Sequence, residues 1–287
     1  MPALRDLVAE ELLTPVDPKV TAMASAIAAK HGKSSRAVLF YGSCLRQKQL
    51  EGLMLDFYLI VSDYRAAYGK SWLATVNRLI PPNVFYFEHD GLVAKYAVLS
   101  AADFYRLNGP ETRNVSVWAR FAQPSRLVWA ADDEARSNSI AAITRAAPTL
   151  LAAAQWSHGE QPLDWWRRAF ALTYSAELRA ERQGRGTSVV DTDRDRYERF
   201  SGPAIAAIPA LMARPSNWVR RRIEGKALSV IRLAKASFTF AGGVDYIAWK
   251  INRHAGTDIQ IKPWQRRWPL LAAISLLPRL LRSGAVR

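Results

Sequence analysis

The chain has 287 residues, of which 49% are hydrophobic, and its 40 basic and 25 acidic residues give a formal net charge of +15. The apolar fraction excludes a disordered chain, and the length suits one large domain or two ordinary ones. The positive charge indicates an anionic partner: nucleic acid, anionic lipid or a phosphorylated substrate.

The single cysteine, Cys44, excludes an internal disulfide and a cysteine-based metal site. Because Cys44 follows a candidate phosphate-binding turn, a nucleophilic role is one interpretation. The four histidines, however, show no paired spacing. A small buried thiol is therefore the favoured interpretation.

Acidic residues near the N terminus argue against both a secretory signal and a mitochondrial presequence. The longest apolar run, residues 269–278, is shorter than the ~20 residues that cross a bilayer. We therefore expect a soluble or peripheral protein.

Two short helices are predicted over residues 4–13 and 18–31, followed by a buried strand over 36–41 that is rich in β-branched and aromatic residues. Gly42 and Ser43 interrupt this run, and a second apolar strand is predicted over 54–61. Its only charged residue is Asp56. A carboxylate inside a buried strand is costly unless it is paired or binds a metal.

A strand, a Gly-Ser turn, a short helix and a strand with an aspartate form an order typical of nucleotidyltransferases. Gly42 would let the backbone approach a triphosphate, and free N–H groups of a helix beginning at Ser43 would suit a phosphate. Asp56 would bind Mg²⁺. The common motif has a second carboxylate two residues later, where this chain has Tyr58. The pattern alone leaves two interpretations open, a nucleotide site or a turn beside a structural aspartate.

Asp63 follows the second strand, directly before a helix predicted to begin at Tyr64 and to end near Leu79. Its carboxylate either caps this helix or completes the metal site with Asp56. Capping is the favoured interpretation, because Ser-Asp before a helix needs no further cause. Asp63 is kept as a second candidate metal ligand.

A β-hairpin is predicted next, with strands over 84–88 and 92–99 and an Asp-Gly turn between them. Lys95 lies in the second hairpin strand, where it supplies a charge to phosphates or lies on a solvated face. A further strand is predicted over 126–129, and residues 115–118 are a candidate for another. These strands define a nucleotidyltransferase-like domain over residues 1–135.

The remaining chain is predicted to be helical over 136–260, which makes the fold class α+β, and to end in a basic amphipathic tail over 261–287. The predicted helices cover residues 139–156, 163–183, 197–200, 204–212, 218–240 and 242–254.

Basic residues concentrate after residue 214, with tryptophans interleaved. The helix beginning near Trp218 combines apolar residues with Arg220, Arg221 and Lys235, which is typical of a lid over an anionic substrate or of a membrane-facing helix. We treat these three as candidate substrate-binding residues. The tail is interpreted as an interfacial helix, with docking on the protein body as the alternative. Tryptophan with arginine also suits single-stranded nucleic acid, which is not the favoured partner.

Four segments, in this order along the chain, resemble the mitochondrial-type phosphatidate cytidylyltransferases, the translocator assembly and maintenance protein family. That family also lacks an acid two residues after its aspartate. The resemblance spans roughly residues 37–243. We expect the chain to be a bacterial relative of that family. The segments are Tyr41-Gly42-Ser43 with Leu55-Asp56-Phe57, then Lys95–Ser100, Ala119–Pro124 and Ser237–Gly243.

The resemblance implies transfer of CMP from CTP to phosphatidic acid, giving CDP-diacylglycerol and pyrophosphate, with Mg²⁺ as cofactor. It implies a cytoplasmic protein at the inner face of the membrane, bound to an anionic lipid surface. Tyr41, Gly42, Ser43 and Arg120 would bind substrate, and Asp56 and Lys95 would be catalytic.

Two other classes of protein remain open at this point. One is a nucleotidyltransferase that acts on a protein, a small molecule or an RNA end, which would keep the same turn and aspartate. The other is a non-catalytic basic protein that binds membranes or nucleic acid, which would account for the charge and for Tyr58.

Overall fold

The computed structural model describes residues 3–47, 50, 53–177, 189–208, 216–239 and 260–264, and it combines one five-stranded mixed sheet with helices. This confirms the predicted α+β class. The predicted helix over 242–254 and nearly all of the predicted tail lie outside the described residues. In the described part of the chain, no helix has both the length and the hydropathy needed to cross a membrane.

The sheet has the strand order β3-β4-β2-β1-β5. β2 pairs in parallel with β4 and antiparallel with β1, and the two remaining pairs are antiparallel. The two strands of the Gly-Ser motif, β1 and β2, are therefore central. The strands are β1 (Ser35–Tyr41), β2 (Met54–Val61), β3 (Asn83–His89), β4 (Leu92–Ser100) and β5 (Ser125–Ala130).

Helices precede, connect and follow the strands. They are α1 (Leu4–Leu12), α2 (Pro18–His31), α3 (Ser43–Gln47), α4 (Tyr64–Ala67), α5 (Ser71–Leu79), α6 (Ala101–Leu107), α7 (Trp118–Phe121), α8 (Asp133–Thr144), α9 (Ala146–Ala154), α10 (Pro162–Ala176), α11 (Arg194–Ala206) and α12 (Trp218–Thr239). The hairpin of β3 and β4 forms as predicted, with Asp90 and Gly91 both at positive φ in its turn.

The candidate strand at 115–118 is wrong. Residues 116 and 117 form a turn and Trp118 begins α7. Asn114 accounts for the difference, because its side-chain oxygen accepts hydrogen bonds from the backbone N–H and the hydroxyl of Ser116, at 3.0 and 2.9 Å. Such a local bond replaces the pairing that a strand would need. Val115 and Val117 are buried, as the apolar pattern requires.

Several predicted helix boundaries also differ from the structure. The helix predicted over 64–79 is interrupted after α4, and the helix predicted over 139–156 is divided between α8 and α9. The helices predicted over 197–200 and 204–212 are joined in α11, which contains Pro203. Tertiary packing sets these bounds more strongly than local propensity does.

The sheet is buried on both faces. Alternation along β2 places Phe57 and Leu59 against α2, and Tyr58 and Ile60 on the opposite face. The cluster on that opposite face also contains Trp166 and other large side chains from beyond residue 135. The helices after residue 135 therefore cover one face of the sheet, and the division into domains 1–135 and 136–260 stays a prediction.

A buried ion pair connects α1 to α11. Arg196 donates two hydrogen bonds to the carboxylate of Glu11, one of them 3.0 Å long, and a third of 3.1 Å to the Ala122 carbonyl. The two side chains are only 8% and 13% exposed. Removing one member of such a pair leaves an uncompensated buried charge.

We predict that Glu11→Gln lowers the free energy of unfolding by about 3 kcal/mol, measured by urea denaturation. The matched control is Glu10→Gln, because Glu10 pairs with Arg199 at the surface, where both side chains are more than half exposed. The control should cost no more than about 0.5 kcal/mol. Equal losses in the two variants would show that the buried pair does not stabilise the fold.

Candidate functional site

Three neighbouring strands place Tyr41, Asp56 and Lys95 side by side. Asp56 of β2 lies opposite Tyr41 of β1 and opposite Lys95 of β4. Directly paired residues project from the same face of a sheet. The Lys95 Nζ atom is 2.9 Å from Asp56 Oδ1, and both side chains are about three-quarters or more buried. The sheet topology therefore assembles three of the predicted site residues.

The turn after β1 closes on the Asp56 carboxylate. Gly42 has a φ of +96°, and a Cβ added there would lie 2.8 Å from Asp56 Oδ2. The position thus needs glycine both for its backbone conformation and for the close approach of the chain. Ser43 follows as the first residue of α3, which has five residues.

Asp56 is suited to a metal ion that is shared with a substrate. Its buried Oδ1 atom lies 2.9 Å from the Lys95 ammonium, and its Oδ2 atom faces the Gly42 turn. Protein sites often bind Mg²⁺ through one or two carboxylates together with substrate phosphates. In the part of the chain that the structure describes, no three His, Cys, Asp or Glu side chains cluster as a metal site. A Mg²⁺ ion bound to the Asp56 carboxylate would therefore need further ligands from a bound substrate or from water.

Asp63 lies at the other end of β2, seven residues from Asp56, or about 23 Å along the strand. Its Oδ1 atom accepts hydrogen bonds from the backbone N–H groups of Arg65 and Ala66, at 2.7 and 3.3 Å. It therefore caps α4, and the structure does not bring it to Asp56. One metal ion cannot contact both carboxylates.

Tyr58 stands where the common motif has its second acid, and it binds Arg120. The Arg120 guanidinium donates a 3.0 Å hydrogen bond to the Tyr58 hydroxyl. It also lies 5.2 Å from the centre of the Tyr41 ring, in a cation–π contact. Burial raises the pKa of the Tyr41 hydroxyl, which remains neutral at physiological pH. Tyr58, at the position where the common motif has its second carboxylate, thus binds the Arg120 guanidinium.

Arg120 is connected through Ser116 to Arg232 of α12. The Ser116 carbonyl accepts a 3.4 Å hydrogen bond from Arg120, and its hydroxyl accepts a 2.6 Å bond from Arg232. The Ser116 hydroxyl also contacts the carboxylate of Glu177. A line of cationic side chains therefore extends from the strand residues to α12.

Lys235 extends this line by one helical turn. It donates hydrogen bonds to the carbonyls of Ile80 and Pro82, and Arg232 donates a 2.9 Å bond to the Pro81 carbonyl. Lys235 is 8% exposed, and burial together with the nearby Arg232 lowers its pKa to about 7. The carboxylate of Glu177, which contacts the Ser116 hydroxyl, supplies negative charge near both Arg120 and Arg232.

The other predicted residues of the basic helix have different partners. Arg220 forms an ion pair with Glu224 at 2.7 Å. Arg221 donates a 2.6 Å hydrogen bond to the Arg113 carbonyl and lies within 6 Å of the Trp118 and Trp218 rings. The structure brings neither residue into contact with the three strand residues. The Arg220 pair lies within α12, whereas the Arg221 contact joins the start of α12 to the chain before α7.

Arg232 is a candidate that the sequence interpretation missed. It precedes Lys235 by three residues, so the two side chains share one face of α12. This spacing was visible in the sequence. The contact with Ser116, however, depends on how α12 packs against the loop before β3.

Cys44 is buried, and its thiol donates a long, 3.5 Å hydrogen bond to the Met54 carbonyl. Burial, and then the nearby negative charge of Asp56, raises the pKa of the thiol. A neutral thiol is a poor nucleophile. The environment supports the interpretation of Cys44 as a small packing residue.

Comparison with known proteins adds no family: no protein-family model matches the chain, and no curated protein matches it. The function must therefore be argued from the site itself. A glycine turn, a strand carboxylate, a strand lysine and a line of buried cations together suit a substrate with several phosphate groups.

We predict that Gly42→Ala destabilises the protein more than Gly91→Ala does. Both glycines have positive φ, but an added Cβ at Gly91 meets nothing within 4 Å. The control should cost about 1–2 kcal/mol from backbone strain alone, whereas Gly42→Ala adds the clash with Asp56. Urea denaturation of both variants measures the difference. Equal costs would mean that the turn and the carboxylate are not in close contact.

Proposed function

We propose that the protein is a Mg²⁺-dependent nucleotidyltransferase that transfers CMP from CTP to phosphatidic acid. The observation that carries this proposal is the contact of the Gly42 turn with the Asp56 carboxylate, beside Lys95 on the next strand. The resemblance to the phosphatidate cytidylyltransferases supplies the identity of both substrates.

On the nucleotide side, the Gly42–Ser43 turn would hold the triphosphate, because the missing side chain lets the backbone come close to it. Asp56 would hold the Mg²⁺ ion, which when bound neutralises charge on the phosphate oxygens. Lys95 compensates the Asp56 charge before the nucleotide binds and then supplies a positive charge to the phosphates. The three groups are fixed by strand pairing, so little reorganisation is needed.

On the acceptor side, a phosphate oxygen of phosphatidic acid attacks the α-phosphorus of CTP. The bond between the α- and β-phosphates breaks, and pyrophosphate leaves in line with the attack. The lipid phosphate is already a nucleophile at neutral pH, so catalysis depends on positioning and electrostatics and not on a strong base. This accounts for an active site that has Tyr58 in place of a second carboxylate.

Arg120, Arg232 and Lys235 are suited to bind the acceptor phosphate. Their hydrogen bonds among the described residues go to neutral oxygens, and the Glu177 carboxylate lies near the two arginines. A cation removed from water gains from an anionic partner. We further propose that the reaction takes place at the inner face of a bacterial membrane, because phosphatidic acid presents its phosphate at the bilayer surface.

The reaction is tested by incubating the protein with Mg²⁺, phosphatidic acid vesicles and each labelled nucleoside triphosphate in turn. We predict that CTP yields a liponucleotide and pyrophosphate, and that the other nucleotides yield much less. A label transferred to RNA or protein, with none in the lipid fraction, would keep the nucleotidyltransferase class but contradict the acceptor.

We predict that Asp56→Asn lowers turnover at least a hundredfold, because it removes the metal-binding charge and keeps the side-chain shape. The variant should still unfold cooperatively. Asp63→Asn is the matched control: it makes the same change two residues after the end of β2, far from the turn. Cys44→Ser should also keep near-normal turnover, since the thiol has no covalent role. Normal turnover in Asp56→Asn would contradict the mechanism.

A further inference from the structure

The outer face of α12 exposes aliphatic side chains to an unusual degree. Val219 is 64% exposed, Ile223 66%, Val230 38% and Ile231 45%. At 100° per residue, Val219, Ile223 and Val230 point within about 40° of one another, whereas Ile231 points about 100° away from their mean direction. The first three form a stripe about 16 Å long on one side of the helix.

The opposite face of α12 is firmly packed, which fixes the direction of the stripe. Gly225 lies so close to the Ala176 carbonyl at the end of α10 that an added Cβ would overlap with it. Arg232 and Lys235 extend from this inner face to the loop before β3. The aliphatic stripe therefore faces away from the body of the protein.

Positive charge borders the stripe. Arg222 and Lys226 are exposed on its flank and pair with no carboxylate in the described ranges. Glu224 is the only acid in the sequence of α12, and it forms ion pairs with Arg220 and Arg113, at 2.7 and 3.4 Å. The outer face thus combines aliphatic residues with uncompensated basic residues.

We propose that this outer face of α12 binds the surface of an anionic lipid bilayer. A helix with an apolar stripe and basic flanks lies in the plane of the interface, with the apolar side chains below the headgroups and the basic ones among them. Nucleic acid fits less well, because the exposed stripe of α12 contains no aromatic side chain that could stack on a base.

Binding in this orientation has a consequence for the proposed reaction. Arg232 and Lys235 lie on the inner side of the same helix, so one helix diameter, about 10 Å, separates them from the bilayer. The headgroups would then lie close to the cations suggested for the acceptor phosphate. Only this consequence depends on the proposed function; the docking itself does not.

The test is co-sedimentation of the full chain with vesicles of phosphatidylcholine and phosphatidylglycerol in equal parts. Phosphatidylglycerol is anionic but is not the proposed substrate, so the result does not depend on the enzymatic proposal. Ile223→Asp and Val219→Asp should each weaken binding about tenfold or more. The matched control is Leu13→Asp, at another exposed aliphatic residue (51% exposed) that directly follows α1, and it should bind like the unaltered protein.

The charge contribution is measured separately with Arg222→Gln combined with Lys226→Gln. This double variant should lose about 25-fold in affinity at low salt, about fivefold per residue, and much less at high salt, where charges are screened. Vesicles of phosphatidylcholine alone should bind the unaltered protein weakly.

Three results would overturn the proposal. The first is unaltered vesicle binding by both aspartate variants. The second is a full-length protein that ignores anionic vesicles but binds oligonucleotides. The third is a lowered thermal midpoint in Ile223→Asp, with no such loss in Leu13→Asp and no change in vesicle binding, which would show that another part of the chain covers the stripe. Turnover on short-chain phosphatidic acid in solution reports on the enzymatic proposal alone.

Discussion

The placement of one carboxylate in the middle of a buried sheet is the constraint on which the rest of the site depends. β4 supplies the Lys95 ammonium, which pairs with the Asp56 carboxylate at 2.9 Å from one side. The adjoining chain must then pass the carboxylate without a side chain, which Gly42 allows. Strand order is thus decisive: only with β2 between β1 and β4 do the turn and the lysine meet the same aspartate.

Most strands and the turn could be predicted from the sequence because their signals are local. The run before Gly42, the apolar strand with Asp56 and the Asp90-Gly91 hairpin all depend on residues within ten positions of one another. Residues 115–118 were misassigned because a short apolar run suits a strand and a buried helix equally well, and Asn114 decided between them. Helix boundaries were the least predictable, because packing sets them.

The residues of the candidate site also differ in how far the sequence could predict them. Tyr41, Gly42 and Asp56 could be found by motif, and Lys95 by its place in a strand. Arg232 could not, because its partners Ser116 and Pro81 are more than 100 residues away in sequence. Tyr58 illustrates the physical reason for the departure from the common motif: a phenol hydroxyl can hold a guanidinium without adding a second negative charge.

If the proposed acceptor phosphate binds beside Lys235, its binding would be coupled to the uptake of a proton. The Lys235 pKa of about 7, lowered by burial and then by Arg232, means that this ammonium is only partly protonated at neutral pH in the folded chain. An anion that arrives beside it would favour the charged form and raise that pKa, so the complex would take a proton from the solvent. The observed heat of binding would then depend on the ionisation enthalpy of the buffer, and the affinity would fall as the medium becomes alkaline.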